Sequence, residues 1–140
     1  MTTSRAPRAA AAWRLMFDFL MKSSPQRLES LERRGLTPND SRALFALTKE
    51  GKPIGQLARE LGCDPSNATW LLDRLEDSGL AERRASATDR RVKLVALTAK
   101  GVKAAAEIME EYRRPPPQLT QLTAKELDEL IAVLEKLSSI

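Results

Sequence analysis

Four arginines stand in one short stretch, RRASATDRR at 83–91, as two pairs separated by small and polar residues with one aspartate before the second pair. A guanidinium stays charged at physiological pH and donates in a planar fork that fits phosphate oxygens, so Arg83, Arg84, Arg90 and Arg91 suit a polyanion better than a bond-making reaction. A narrow DNA minor groove has enhanced negative potential and favours an inserted arginine. The bland alternative is a solvated charged loop, which is the usual meaning of a charge run. The neighbouring elements decide between them.

A second group able to contact DNA lies just upstream. In PSNATWLLDRLEDS, 65–78, the apolar residues Ala68, Leu71, Leu72 and Leu75 fit one helical face and leave Ser66, Asn67, Thr69, Trp70, Asp73 and Arg74 on the other. On a helix in a major groove, Asn67 suits adenine, Arg74 suits guanine or phosphate, and Ser66 and Thr69 suit phosphate oxygens. Trp70 either lies on a sugar or a thymine methyl or packs on the base of the basic hairpin, and both readings stay open. Asp73 would repel phosphate, so its better use is to orient Arg74 or another arginine. Catalysis has little to work with: histidine is absent, no phosphate-binding G-x-x-x-x-G-K-[ST] loop occurs, and no paired Cys or His spacing suggests a metal. We expect no catalytic residues, no metal, no cofactor and no enzyme activity.

These side chains need positioning elements, and start and stop signals supply them. Thr37-Pro38-Asn39-Asp40 reads as an N-cap, a first-turn proline and a first-turn acid, opening a helix that runs to Gly51. Ile54, Leu57, Ala58 and Leu61 mark a second helix closed by Gly62. Asp64 can cap a third, with Pro65 first and Ser78-Gly79 last. Only Cys63 and Asp64 separate Gly62 from Pro65, so the two helices must cross steeply, as in a helix-turn-helix. Leu80–Arg84 and Val92–Leu97 are strand candidates around a tip at 85–89; in VKLVAL the alternation is imperfect, which suits a strand covered on both faces. A further helix runs from Thr98 to about Arg114 and is stopped by Pro115-Pro116-Pro117. Thr123 to Glu126 is a capping box for a last helix striped by Leu127, Leu130, Ile131, Leu134 and Leu137.

At the other end, residues 9–34 are one long helix or two, because Ser24-Pro25 reads equally as a kink or as a fresh N-cap and first turn. Trp13, Leu15, Met16, Phe17, Phe19, Leu20 and Met21 cover more than one face, which a chain of 140 residues can hardly bury alone. Both chain ends are therefore expected to form a homodimer interface, by two-fold symmetry.

Composition agrees with this. Hydrophobic residues make up 42% and charged residues 30%, the balance of a folded soluble domain. The longest apolar cluster is broken by Arg14 and Asp18 and is too short to span a bilayer, so no membrane association is expected and the chain reads as cytoplasmic. Residues 80–103 carry seven basic and two acidic side chains, whereas 104–140 carry four and seven, so the hairpin is the electropositive centre. The lone Cys63 reads as a small packed hydrophobe rather than a sensor thiol.

This order of elements resembles the MarR family of winged-helix transcriptional regulators. The resemblance covers roughly residues 10–139 and rests on LTPNDSRALFAL at 36–47, IGQLARELGCDPSNATWLLDRLEDSGLAERR at 54–84 and DRRVKLVALTAKG at 89–101. It implies a mainly α fold with a small β-hairpin wing: a flexible N-terminus over 1–8, dimerisation helices over 9–34 and 98–140, and a winged helix-turn-helix over 35–97. The expected partner is a pseudo-palindromic double-stranded DNA, met by the recognition helix 65–78 and the wing 80–97. Asp89 and Arg91 match the D-x-R of the family wing, where the carboxylate steadies the tip and the arginine reaches DNA. The resemblance also implies release by a small aromatic or phenolic effector, with Trp13, Met16, Phe17 and Phe45 as candidate cleft residues and dimer core as the alternative for each. Three departures stand out: Trp70 occupies a place that is often basic in the family, the prolines at 115–117 interrupt a helix that is typically long, and the first helix has no cysteine of the redox-sensing type.

Overall fold

The computed structural model describes residues 4–140. Among the described residues, seven α-helices and three short strands follow in the order α1 (Arg5–Lys22), α2 (Ser24–Glu32), α3 (Pro38–Ala46), β1 (Lys52–Pro53), α4 (Ile54–Leu61), α5 (Pro65–Asp77), β2 (Ala81–Ala85), β3 (Lys93–Leu97), α6 (Ala99–Tyr112) and α7 (Ala124–Ser138), with a 3₁₀ turn at Pro117–Gln121. Of the N-terminus expected to be flexible over 1–8, residues 1–3 lie outside the described residues, and residues 5–8 are the first turns of α1. None of the described helices is long and apolar enough to cross a membrane.

The open question over 9–34 resolves as two helices. Ser23 ends α1, its N–H bonding to Phe19 O at 3.1 Å and its hydroxyl to Leu20 O at 2.9 Å, and Ser24 begins α2 at once. Pro25 has no N–H to continue the α1 ladder, and as the second residue of α2 it needs none.

The chain divides into two compact units: Ser24–Tyr112, and the two ends up to Ser23 and from Arg113 onward. These bounds differ from the expected division at 35 and 97, because α2 and α6 contribute to the core of the central unit. Leu31 of α2 and Ile108 of α6 are buried with Leu44 of α3, Leu57 of α4, Leu72 and Leu75 of α5 and Val95 of β3. The α2–α6 seam also holds a polar cluster. Buried Ser30 donates to Glu111, which Arg34 grips through both carboxylate oxygens at 2.9 and 3.0 Å while Arg33 reaches it at 2.8 Å.

The helix predicted to reach Gly51 stops at Ala46. Leu47 is extended and buried, and Thr48 gives its carbonyl to the Leu97 N–H at 2.9 Å, so the sheet takes over the backbone that would have continued the helix. Gly51, at φ +91°, passes so close to β3 that a Cβ would press on Val95 O and on the Leu94 and Ala96 side chains at 3.1 to 3.2 Å. The two-residue strand β1 follows and pairs with β3, a pairing the sequence hid because Pro53 argues against a strand except at a sheet edge. The sheet order is β1-β3-β2, and the central position of β3 explains why Val95, Ala96 and Leu97 are buried in succession.

The LTAKG stretch closes the wing onto α6. Thr98 donates its hydroxyl to Gly79 O at 2.6 Å and accepts from the Gly101 N–H at 3.0 Å, capping the helix. Lys100 Nζ reaches Ser78 O at 2.8 Å, placing a cation at the C-terminus of α5 where the helix dipole favours it. Gly101 packs directly on the Leu80 carbonyl, in space that a Cβ would have to share with backbone.

Gly101→Ala should lower stability by about 3 kcal/mol or more, because rigid backbone must give way, whereas Gly35→Ala, strained at φ +68° but facing open space, should cost about 1–2 kcal/mol; thermal denaturation compares them. The Arg34 hydrogen bonds, aided by Ser30, bring the Glu111 carboxyl down to about 2. The bond from Arg74 likewise lowers Asp40. A depressed carboxyl contributes stability above its unfolded value and loses it as pH falls through its folded value. Unfolding midpoints should therefore drop between pH about 4.5 and about 2, and Glu111→Gln should flatten part of that drop.

Candidate nucleic-acid interface

The helix-turn-helix is built from α4 and α5. Gly62 caps α4 in the left-handed region at φ 64°, with its N–H on Arg59 O at 3.1 Å and the Cys63 N–H on Ala58 O at 3.0 Å, a two-bond cap that turns the chain sharply. Asp64 stands at the N-cap of α5 in an extended conformation, but its side chain makes no capping bond; Pro65 sets the first turn instead. Arg42 of α3 donates to Leu61 O at 2.8 Å and ties α3 to the end of α4. Cys63 is half-buried against the core.

One face of α5 is buried through Ala68, Leu71, Leu72 and Leu75, as its spacing predicts. Ser66, Asn67 and Trp70 are exposed on the outer face. Thr69 is half-buried and donates its hydroxyl to Pro65 O at 2.9 Å, so its one donor serves its own helix instead of a phosphate. Arg74, expected to meet guanine or phosphate, turns the other way. Its Nε and Nη2 grip both oxygens of Asp40 at 2.9 and 2.8 Å, and its guanidinium carbon lies 5.2 Å from the centre of the Trp70 ring. Asp40, 1% exposed, also takes the Thr37 N–H at 2.8 Å in the capping box of α3. Sequence reasoning found the cap and missed the anchor, since nothing in T-P-N-D tells that the aspartate will be buried against an arginine 34 residues away.

The wing arginines separate into two classes. Arg83 is held by Asp73 at 2.8 Å and by Glu76, so the acid on the recognition helix orients a wing arginine. Arg84 donates to the Lys49 carbonyl and lies 3.9 Å from Glu82. Both thus brace the base of the hairpin. Arg90 and Arg91 stand exposed at the tip, with no ion pair to either guanidinium among the described residues. Asp89 supports them without neutralising them by contact: its Oδ1 accepts the Arg91 backbone N–H at 3.0 Å and its carbonyl accepts the Val92 N–H at 3.0 Å. Ser86 completes the tip by donating to Val92 O at 2.9 Å.

Trp70 turns one side toward α3 and the interhelical turn, where it lines a recess of about 240 Å³ with Asn39, Arg42, Cys63 and Asn67. The four aromatic-cleft candidates fall in both compact units. Trp13 and Phe17 face each other on α1 with ring centres 6.3 Å apart, Met16 is exposed on the same helix, and Phe45 meets Tyr112 edge-on at 5.9 Å in the central unit.

Similarity to known proteins bears on this geometry. A sequence profile described as MarR family matches residues 34–92, from the end of α2 to the wing tip. The transcriptional repressor MdtR of Bacillus subtilis strain 168 is 37% identical over 81 residues, covering 57% of this chain and 52% of MdtR. The transcriptional regulator MhqR of the same organism is 30% identical over 107 residues, covering 76% of this chain and 66% of MhqR. The chain thus spans between about half and two thirds of the length of these relatives. The crystal structure of YusO from Bacillus subtilis is similar at a TM-score of 0.72 and 28% identity, over 96% of this chain and 97% of that one. The sequence match falls on the helix-turn-helix and wing, and the fold extends it over nearly the whole length: the chain belongs to the MarR family, with that family's winged-helix architecture.

Proposed function

We propose that the protein is a transcriptional regulator, a repressor by analogy with MdtR, that binds a pseudo-palindromic DNA operator as a homodimer. In this reading α5 enters the major groove and the wing enters the adjacent minor groove. The observation that carries it is the pair of arginines at the wing tip, Arg90 and Arg91, exposed and with no ion pair to either guanidinium among the described residues, next to a helix whose outer face presents Ser66, Asn67 and Trp70. Bracing by Asp73, Glu76 and the Lys49 carbonyl gives the finger a fixed setting against α5, which lowers the ordering cost of binding. Residues proposed to touch DNA are Ser66, Asn67 and Trp70 of α5 and Arg90 and Arg91 of the wing, with Asp89 and Arg84 as supports.

Dimerisation is supported by the two end helices. No residue of α1 or α7 is buried, and large apolar side chains such as Trp13 and Leu15, each 65% exposed, and Ile131, Val133 and Leu137 stand open. Uncovered apolar surface on that scale marks an interface, and a second copy is the partner that two-fold symmetry supplies. A small aromatic or phenolic effector lowering operator affinity remains part of the proposal, and titration with phenolics while following DNA binding tests it.

One observation favours a different reading. Arg74, Arg83 and Arg84 are all satisfied inside the chain, as a protein-interaction module that never meets DNA would allow. Salt dependence separates the two. For a DNA-binding protein, log K should fall with log salt at about −0.9 per phosphate contact. Arg91→Ala should weaken binding and make that slope shallower by about 0.9 per subunit, as measured by fluorescence anisotropy over a salt series. No binding at low salt, or an unchanged slope in Arg91→Ala and Arg90→Ala alike, would favour the interaction module.

A further inference from the structure

The geometry points to Trp70 as an apolar reader of a thymine methyl group, held in place by Asp40 acting through Arg74. This rests on the DNA-binding reading above and deepens it by assigning base preference to one side chain.

Trp70 is 58% exposed on the outer face of α5, one turn beyond Asn67 and one turn before Arg74. A large indole left so open in the middle of a helix that otherwise buries its apolar residues calls for a reason. Packing does not give one, since the core of the central unit closes without it. Its surroundings do not free it to wander either. The Arg74 guanidinium lies over the ring at 5.2 Å, and that guanidinium is itself fixed by two hydrogen bonds to buried Asp40, whose position is set by the Thr37 capping box. Indole, guanidinium, carboxylate and helix cap form one relay from the surface to the start of α3.

The relay has an electrical consequence. Asp40 neutralises Arg74, so the stripe Asn67, Trp70, Arg74 presents an amide and an aromatic plate with no unpaired positive charge. A phosphate gains little there. What a major groove offers to an apolar plate is the C5 methyl of thymine, the one apolar group on a base edge. Thymine contact through Trp70 would therefore add base preference and leave the salt dependence to the wing arginines. Asp40 and Arg74 are positioning residues in this scheme, because neither touches the base.

The test uses the full-length protein and a duplex it enriches from random-sequence DNA. Each thymine of the enriched half-site is replaced in turn by uracil, which removes only the methyl, and affinity is measured over a salt series. The wild type should lose about fourfold at one position per half-site, the worth of one buried methyl. Trp70→Ala should bind thymine and uracil duplexes equally, with an unchanged salt slope. Trp70→Arg should also lose the methyl preference while steepening the slope by about 0.9 per subunit. Asp40→Asn keeps an acceptor for the Thr37 N–H but removes the charge that locks Arg74; it and Arg74→Lys should cut the methyl penalty to less than twofold with the slope preserved, which a general loss of folding would not do. A duplex bound tightly with no methyl penalty at any thymine, or with a penalty that persists in Trp70→Ala, overturns this assignment alone. Failure to enrich any duplex overturns it together with the DNA-binding reading.

Discussion

The carboxylate of Asp40 is the fixed point of the central unit. A buried charge is costly unless it is paired and fully hydrogen-bonded, and Asp40 meets that demand with two bonds from Arg74 and one from the Thr37 backbone. The same three bonds start α3 and clamp α5 to it, so the rotation of α5 about its own axis is set twice, once by leucines facing the core and once by this pair. Every side chain on the outer face of α5 inherits its direction from that double constraint. Because the pair is internally neutral, α5 carries little of the positive charge that a DNA partner would meet.

That charge sits on the wing, where arginines of identical chemistry have opposite uses. Arg83 and Arg84 hold the hairpin against α5 and the α3–β1 connection, and Arg90 and Arg91 are left to solvent. The difference is one of neighbours: the base of the hairpin passes Asp73, Glu76 and an open carbonyl, while the tip is shaped by Asp89 and Ser86 through backbone bonds. Lys100 and Gly101 extend the arrangement by locking the start of α6 onto the end of α5 and onto Leu80. Helix, wing and α6 thus form a single mechanical piece within the Ser24–Tyr112 unit.

Much of this is legible in the sequence. Periodicity and caps located every helix of the winged domain, because Gly62, Pro65, Ser78-Gly79 and Pro115 act through local backbone rules that tertiary structure seldom overrides. The end of α3 was misplaced by five residues, since Leu47 to Gly51 continue the helical pattern while a long-range bond from Leu97 draws Thr48 into the sheet. β1 is hidden for a different reason, since Pro53 argues against a strand except at a sheet edge. In the candidate interface the exposed face of α5 and the basic tip followed from sequence spacing, but the partners of Arg74 and Arg83 did not, because pairings 34 and 10 residues apart leave no periodic trace. The recess that Trp70 lines with Asn39 and Arg42 of α3 likewise has no signal in sequence spacing.

In the proposed function two such units, presented by a symmetric dimer, read one duplex at successive turns. Selection of bound sequences from random double-stranded DNA by the full-length protein tests it most directly. An enriched inverted repeat is expected, with half-site centres one helical turn, about 34–36 Å, apart or a multiple of it. Enrichment of a single unsymmetrical site, or of no sequence at all at low salt, would contradict it.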